Sequence, residues 1–148
     1  MRFDLPFLPP SSNHMYITTR GGGRALSPAG RAWKVSTAAY LGQHYGLSLP
    51  TYDRNKSYIA IVTLYLPILT ESYGKKGGAK NRHKKVDTAN RWKILADVLS
   101  PFLGIDDSQF TTEVLMKRHS TTERTTVEIE EEGGVITVTT VHPRTDAT

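Results

Sequence analysis

The chain has 148 residues, 38% of them hydrophobic and 22% charged, enough apolar material for one core and too little for two. It contains no cysteine, which excludes disulfides, zinc ribbons and thiol nucleophiles, so any metal has to be held by oxygen or imidazole. Net charge is +5, yet Lys75, Lys76, Lys80, Arg82, Lys84, Lys85, Arg91 and Lys93 crowd residues 74–93 against Asp87 alone, a local +7 that leaves −2 elsewhere. That concentration is the footprint of a polyanion binder, or else of a solvated lysine-rich loop.

The first ten residues, MRFDLPFLPP, hold an Asp and three prolines, which interrupts any signal-peptide core. No apolar run approaches the roughly 18 residues of a membrane span. The expectation is a cytoplasmic protein without membrane contact. MRFDLPFL predicts a short first strand, and Pro9-Pro10 an extended loop. Arg20-Gly21-Gly22-Gly23-Arg24 reads as a flexible basic loop, since it lacks the spacing and preceding strand of a phosphate-cradling motif.

Ser27-Pro28 supplies an N-cap and a proline at the first helical position, and Gly46 an exit. Between them Trp33, Thr37, Tyr40, Leu41 and His44 recur at helical spacing, which predicts a helix with an aromatic core stripe. YIAIVTLYL, from Tyr58, is rich in β-branched and aromatic residues and stops at Pro67, as a central strand covered on both faces does. Residues 71–86 then form a basic, glycine-containing loop or hairpin tip, long enough to suggest function or disorder.

The next helix carries Trp92, Leu95, Val98, Leu99 and Phe102 on one side and Asn90, Lys93 and Asp97 on another. After Pro101 and Gly104 come Ile105-Asp106-Asp107-Ser108-Gln109 and a strand-like FTTEVLMK. RTTVEIE and VITVTTV read as two strands joined across Glu131-Glu132-Gly133-Gly134. Residues 1–141 thus predict a single α+β domain, two main helices on a mixed sheet, with 142–148 a disordered tail.

Asp87 and the Asp106-Asp107 pair bracket the second helix. Carboxylates and phosphate oxygens together suit Mg²⁺, which commonly takes one or two protein ligands and assists phosphodiester hydrolysis, with a lysine near the developing charge. The plainer alternative makes Asp87 an N-cap and Asp106-Asp107 a turn. His14, His44, His83, His119 and His142 show no zinc-binding spacing, and no GxSxG elbow is present.

Four segments together resemble the RusA-type Holliday junction resolvase family. Pro9-Pro10-Ser11-Ser12-Asn13-His14-Met15-Tyr16 is similar to its PPSxNxxY segment, and Ser27-Pro28-Ala29-Gly30-Arg31-Ala32-Trp33 to its SxxGxx-aromatic segment. Asp87-Thr88-Ala89-Asn90-Arg91-Trp92-Lys93, running on to Asp97 and Leu99, is similar to DxDNxxKxxxDxL, and Asp106-Asp107-Ser108-Gln109 to DDxQ. The likeness covers roughly residues 5 to 118.

It implies a homodimeric endonuclease that nicks branched DNA with Mg²⁺, or Mn²⁺, as cofactor. It further implies catalytic roles for Asp87, Lys93 and Asp107, with Asp87, Asp106 and Asp107 as metal ligands. The middle Asp of DxDN is missing, and Ala89 stands in its place. We expect the pair at 87 and 89 to converge only on an extended approach to a helix beginning near Ala89 or Asn90. An inactivating substitution, natural loss of catalysis, and another carboxylate filling the gap all remain open. Asn13, Arg20, Arg24, Lys75, Lys76, Lys80, Arg82, Lys84, Lys85 and Asn90 are the expected DNA contacts. The alternative is a non-catalytic junction-binding or architectural protein.

Overall fold

Along the chain the elements are β1 (Arg2–Leu5), α1 (Ser12–Met15), β2 (Tyr16–Thr18), β3 (Arg24–Leu26), α2 (Pro28–Tyr45), β4 (Tyr58–Leu66), β5 (Thr70–Tyr73), β6 (Lys80–His83), α3 (Thr88–Leu103), a 3-10 turn (Asp107–Gln109), β7 (Phe110–His119) and β8 (Arg124–Glu131). This computed structural model describes residues 1–67, 70–73, 80–83 and 86–133, with 70–73 and 80–83 as backbone alone. Lys75, Lys76, Lys84, Lys85, the expected strand at 135–141 and the tail at 142–148 lie outside the described residues, as do the side chains of Lys80 and Arg82.

The main sheet runs β1-β8-β4-β7, with β4 parallel to β7 and antiparallel to β8. It is the mixed sheet of an α+β fold, with α2 and α3 as its two main helices. YIAIVTLYL forms β4 in full because its β-branched and aromatic side chains fit a strand buried on both faces. Tyr58, Ala60, Val62, Leu64 and Leu66 point to the core shared with Trp92, Leu95, Leu99 and Leu103 of α3, while Ile59 and Thr63 are buried on the other face. Each large apolar side chain so buried contributes roughly 1.5–3 kcal/mol.

β1 closes the other side, its Phe3 in register with Val127 of β8, and both are fully buried. Both edges of β8 are therefore taken, by β1 and β4.

Helix α2 begins where Ser27 accepts the Gly30 N–H on its hydroxyl, with Pro28 in the first turn. Its stripe is less core than the spacing predicts. Thr37 and Leu41 are buried, Trp33 and Tyr40 are half-buried, and His44 stacks on Tyr40 in solvent. In α3 the expected apolar side is present with Ile94, Ala96, Ser100 and Leu103 added to it, while Phe102 is only half-buried.

Two of the expected loops contain paired strands. The glycine-rich basic stretch is the tip of the β2–β3 hairpin, in which Tyr16 faces Leu26 and Thr18 faces Arg24. The Thr19 N–H donates to the Gly23 carbonyl at 2.7 Å, and Gly22 takes the positive φ of 81° that the tip requires. The 71–86 segment likewise contains a hairpin, β5 with β6, pairing Tyr73 with Lys80 and Thr70 with His83.

Candidate active site

The proline-rich opening segment and the start of α3 are held together. Arg91 donates to the Pro9 carbonyl across the chain. At the end of α1, the Ser27 hydroxyl donates to the His14 carbonyl at 2.7 Å and the Ser27 N–H to the Met15 carbonyl at 2.8 Å. Gly30 permits this docking, since a Cβ there would meet the Met15 carbonyl oxygen at 2.4 Å. The two N-terminal motifs thus form one joint, and Asn13 is exposed on the one-turn helix it fixes.

Val86 is buried and anchors the approach to α3, which leaves Asp87 exposed at its start. Asp87 is the N-cap. One carboxylate oxygen accepts the Asn90 N–H at 3.0 Å and the other accepts the Asn90 side-chain amide at 2.8 Å. The positive end of the helix dipole favours a negative group in this position. The helix begins at Thr88, so Ala89 lies inside the first turn rather than on an extended approach, because the Asp87 cap draws the turn back toward itself. Ala89 and Asn90 are exposed, and Lys93 is exposed one turn further on.

The second acidic corner follows the other end of α3. Gly104, with φ of 74°, reverses the chain; its N–H donates to Pro101 and that of Ile105 to Ser100. Asp106 caps the 3-10 turn, accepting from the Ser108 N–H at 2.9 Å, while its own N–H donates to the Gln109 side chain at 2.9 Å. Hydrogen bonds from Ser108 hold the Asp106 carboxyl below the usual carboxylate range.

The amide of Gln109 donates onward to the carbonyls of Asp53 and Lys56, and Arg54 donates its Nε to Gly104 at 3.0 Å. Arg54, Ile105, Asp106 and Gln109 line an open polar cavity of about 300 Å³, and Asp107, the next residue in the chain after Asp106, is exposed.

The acidic residues thus fall into two groups. Asp87, Asn90 and Lys93 share the first two turns of α3, a helix about 24 Å long at 1.5 Å per residue. Asp106 and Asp107 lie beyond its last turn, although the edge-to-face contact of Phe110 with Trp92 draws the start of β7 back along it. Among the described residues no three acidic or histidine side chains converge as a metal-holding group.

The donor type fits Mg²⁺, whereas the number and convergence of donors do not. Both oxygens of Asp87 are engaged by Asn90, and position 89 offers a methyl group.

Of the expected DNA contacts, Arg20 and Arg24 are exposed on the β2–β3 hairpin, with the Arg24 guanidinium 4.9 Å from the centre of the Tyr16 ring. Sequence reasoning missed Arg54 and the tethering role of Arg91. Arg54 sits in a polar loop without periodicity or motif, and only the fold brings it to Asp106.

Exposed arginines and lysines on an α+β domain are the electrostatic footprint of a polyanion binder, and the fold alone assigns no activity. Over residues 6–130 the chain matches the endodeoxyribonuclease RusA family, and it belongs to that family. The family resolves four-way DNA junctions and generally depends on a divalent metal. No curated protein matches the chain. No helix among the described residues is long and apolar enough to cross a membrane.

Proposed function

We propose that this chain is a homodimeric, cytoplasmic junction-binding protein of the RusA family whose cleavage step is impaired by Ala89. Its native chemistry is metal-assisted nicking of opposing strands. In this reading Asp87, Asp107 and Asp106 would supply oxygen donors only together with a further carboxylate at position 89, Lys93 would meet charge on the phosphate, and the basic segment with Arg20, Arg24, Asn13 and Asn90 would hold the arms of the junction.

The observation that carries the reading is the methyl group of Ala89, exposed in the first turn of α3 beside an otherwise intact Asp87, Asn90 and Lys93. A carboxylate there would add an oxygen donor in the first turn of α3, two residues after Asp87. Two-fold symmetry suits the task, since each subunit meets one of two equivalent strands.

The test is Ala89→Asp on a synthetic four-way junction with Mg²⁺ or Mn²⁺. We expect nicking to rise by about two orders of magnitude or more, on the scale of restoring a catalytic group. Equal cutting by both forms would remove position 89 from the site.

A second reading is favoured by one observation. Asp87 and Asp106 both act as caps, which is sufficient reason for their presence in a non-catalytic architectural protein. That reading expects salt-sensitive binding with little preference for branched over linear DNA, and no nicking after Ala89→Asp. Competition between junction and duplex separates the two.

A further inference from the structure

The loop before β4 and the turn after α3 are built as one piece. The Asp53 N–H donates to the Tyr58 hydroxyl at 2.7 Å, and the Asp53 carboxylate accepts the Asn55 N–H at 2.8 Å, which closes residues 53–55 into a tight turn. Gln109 staples this turn to the acidic one. Its side-chain oxygen accepts the Asp106 N–H at 2.9 Å, and its amide donates to the Asp53 and Lys56 carbonyls at 3.0 and 2.8 Å. Arg54 stands on the first turn and reaches the second, its Nε donating to the Gly104 carbonyl at 3.0 Å, two residues before Asp106.

That bond uses one of the five N–H donors of a guanidinium. The group is planar, so a bond at Nε constrains the whole plane, and the two terminal nitrogens form an outer edge that matches a pair of phosphate oxygens. Arg54 is exposed and lines the open cavity with Asp106, yet among the described residues it forms no ion pair with a carboxylate. The neighbouring cation is committed, since Lys56 lies 3.1 Å from Glu131.

We propose that Arg54 binds a backbone phosphate of DNA at the Asp106-Asp107 turn. This rests on the function proposed above and supplies a contact that reading needs. Asp53, Asp106, Asp107 and Glu131 are all exposed at this corner, and with Lys56 held by Glu131 the corner is negative apart from Arg54. A DNA strand that came to Asp107 without a cation to meet it would be repelled. Arg54 meets it with a side chain already held at Nε, so little conformational freedom is lost on binding. Tethering the turn does not by itself call for a charge. A glutamine places its amide nitrogen as many bonds from the backbone as the Nε of arginine, and can donate to Gly104 alike.

That equivalence separates the two roles. The experiment measures binding of the full chain to a synthetic four-way junction and to linear duplex, in EDTA, over a series of KCl concentrations, with far-UV circular dichroism to check folding. Arg54→Gln keeps the donor and removes the charge. It should leave Tm unchanged and lower the slope of log affinity against log salt by about 0.9, the share of one B-DNA phosphate, on junction and duplex alike. The ratio of wild-type to variant affinity should then fall about eightfold for each tenfold rise in salt. Arg54→Lys keeps the charge and loses the Nε donor, so its slope should stay at the wild-type value while its affinity falls by a constant factor.

A purely tethering role predicts the reverse order, with Arg54→Gln binding as the wild type does and Arg54→Lys the weaker. A wild-type slope for Arg54→Gln, or an equal loss of slope in both variants, would overturn the assignment and leave the function proposed above standing. A wild type that binds neither junction nor duplex would overturn both.

Discussion

At position 87 one carboxylate caps a helix and also stands as the candidate metal ligand, and a pair of substitutions separates the two roles. Asparagine caps as well as aspartate, because its amide oxygen can accept the same backbone N–H, but it carries no charge. Asp87→Ala removes the acceptor for both Asn90 donors and should cost about 1 kcal/mol, a fall in Tm of roughly 2–4 °C for a chain of this size. Asp87→Asn should hold Tm within about a degree of wild type. Placed on an Ala89→Asp background, it should nonetheless abolish nicking. Equal thermal losses for Asn and Ala would show that charge, rather than capping, stabilises this turn. Gly30 stands at the other extreme, since its role is spatial and no side chain replaces it beneath the Met15 carbonyl.

Among the elements, the β2–β3 hairpin turns a glycine-rich string into a surface that can meet phosphate. Its two arginines stand at the tip and on β3, and Tyr16 backs Arg24 with its ring. If each neutralises one phosphate, Arg20→Ala with Arg24→Ala should reduce the slope of log affinity against log salt by about 2, since each B-DNA contact contributes about 0.9. Titrations of junction and duplex at several salt concentrations check this, and an unchanged slope removes the hairpin from the interface. The hairpin also marks where the sequence stops being readable. β4, α2 and α3 are legible because each has a long periodic or β-branched run with a capping residue or proline at its end. Strands of three residues have no such run, and β2 and β3 pair because Ser27 and Gly30 lock onto Met15. The β7 segment reads as a strand, but its parallel partnership with β4 depends on the α3 crossover rather than on any local pattern. The Asp87 cap is legible from its position before the helix and the turn at Asp106-Asp107 from its place after Gly104, whereas the capping role of Asp106 is not. The gap at Ala89 was legible only against the family pattern, and Arg54 was not legible because its partner Gly104 lies on the far side of that crossover.

Across the molecule, β8 stitches together parts of the chain that are remote in sequence. Val127 is paired with Phe3 of β1 on one side and with Val62 of β4 on the other, and it is fully buried. Phe3, Val62, Leu95, Leu99 and Val127 belong to one continuous core, so the sheet and the helix that carries Asp87 stand on the same support. A fold held by such non-local pairings has no local piece that is stable alone, which favours cooperative loss of the whole. Val127→Ala removes two buried methyl groups and leaves a cavity where three strands meet, a cost of about 2–3 kcal/mol. Because the core is single, the loss should lower Tm without splitting the transition. Tryptophan fluorescence, reporting Trp92 in α3 and Trp33 in α2, should superimpose on far-UV circular dichroism in the variant as in the wild type. Junction affinity should stay near wild type while the variant is folded and fall with the folded fraction on heating. Two separated transitions would mean that the β1–β8 side can open while α3 stays packed, and the carboxylate end of the molecule would then be independent of the sheet edge that seals it.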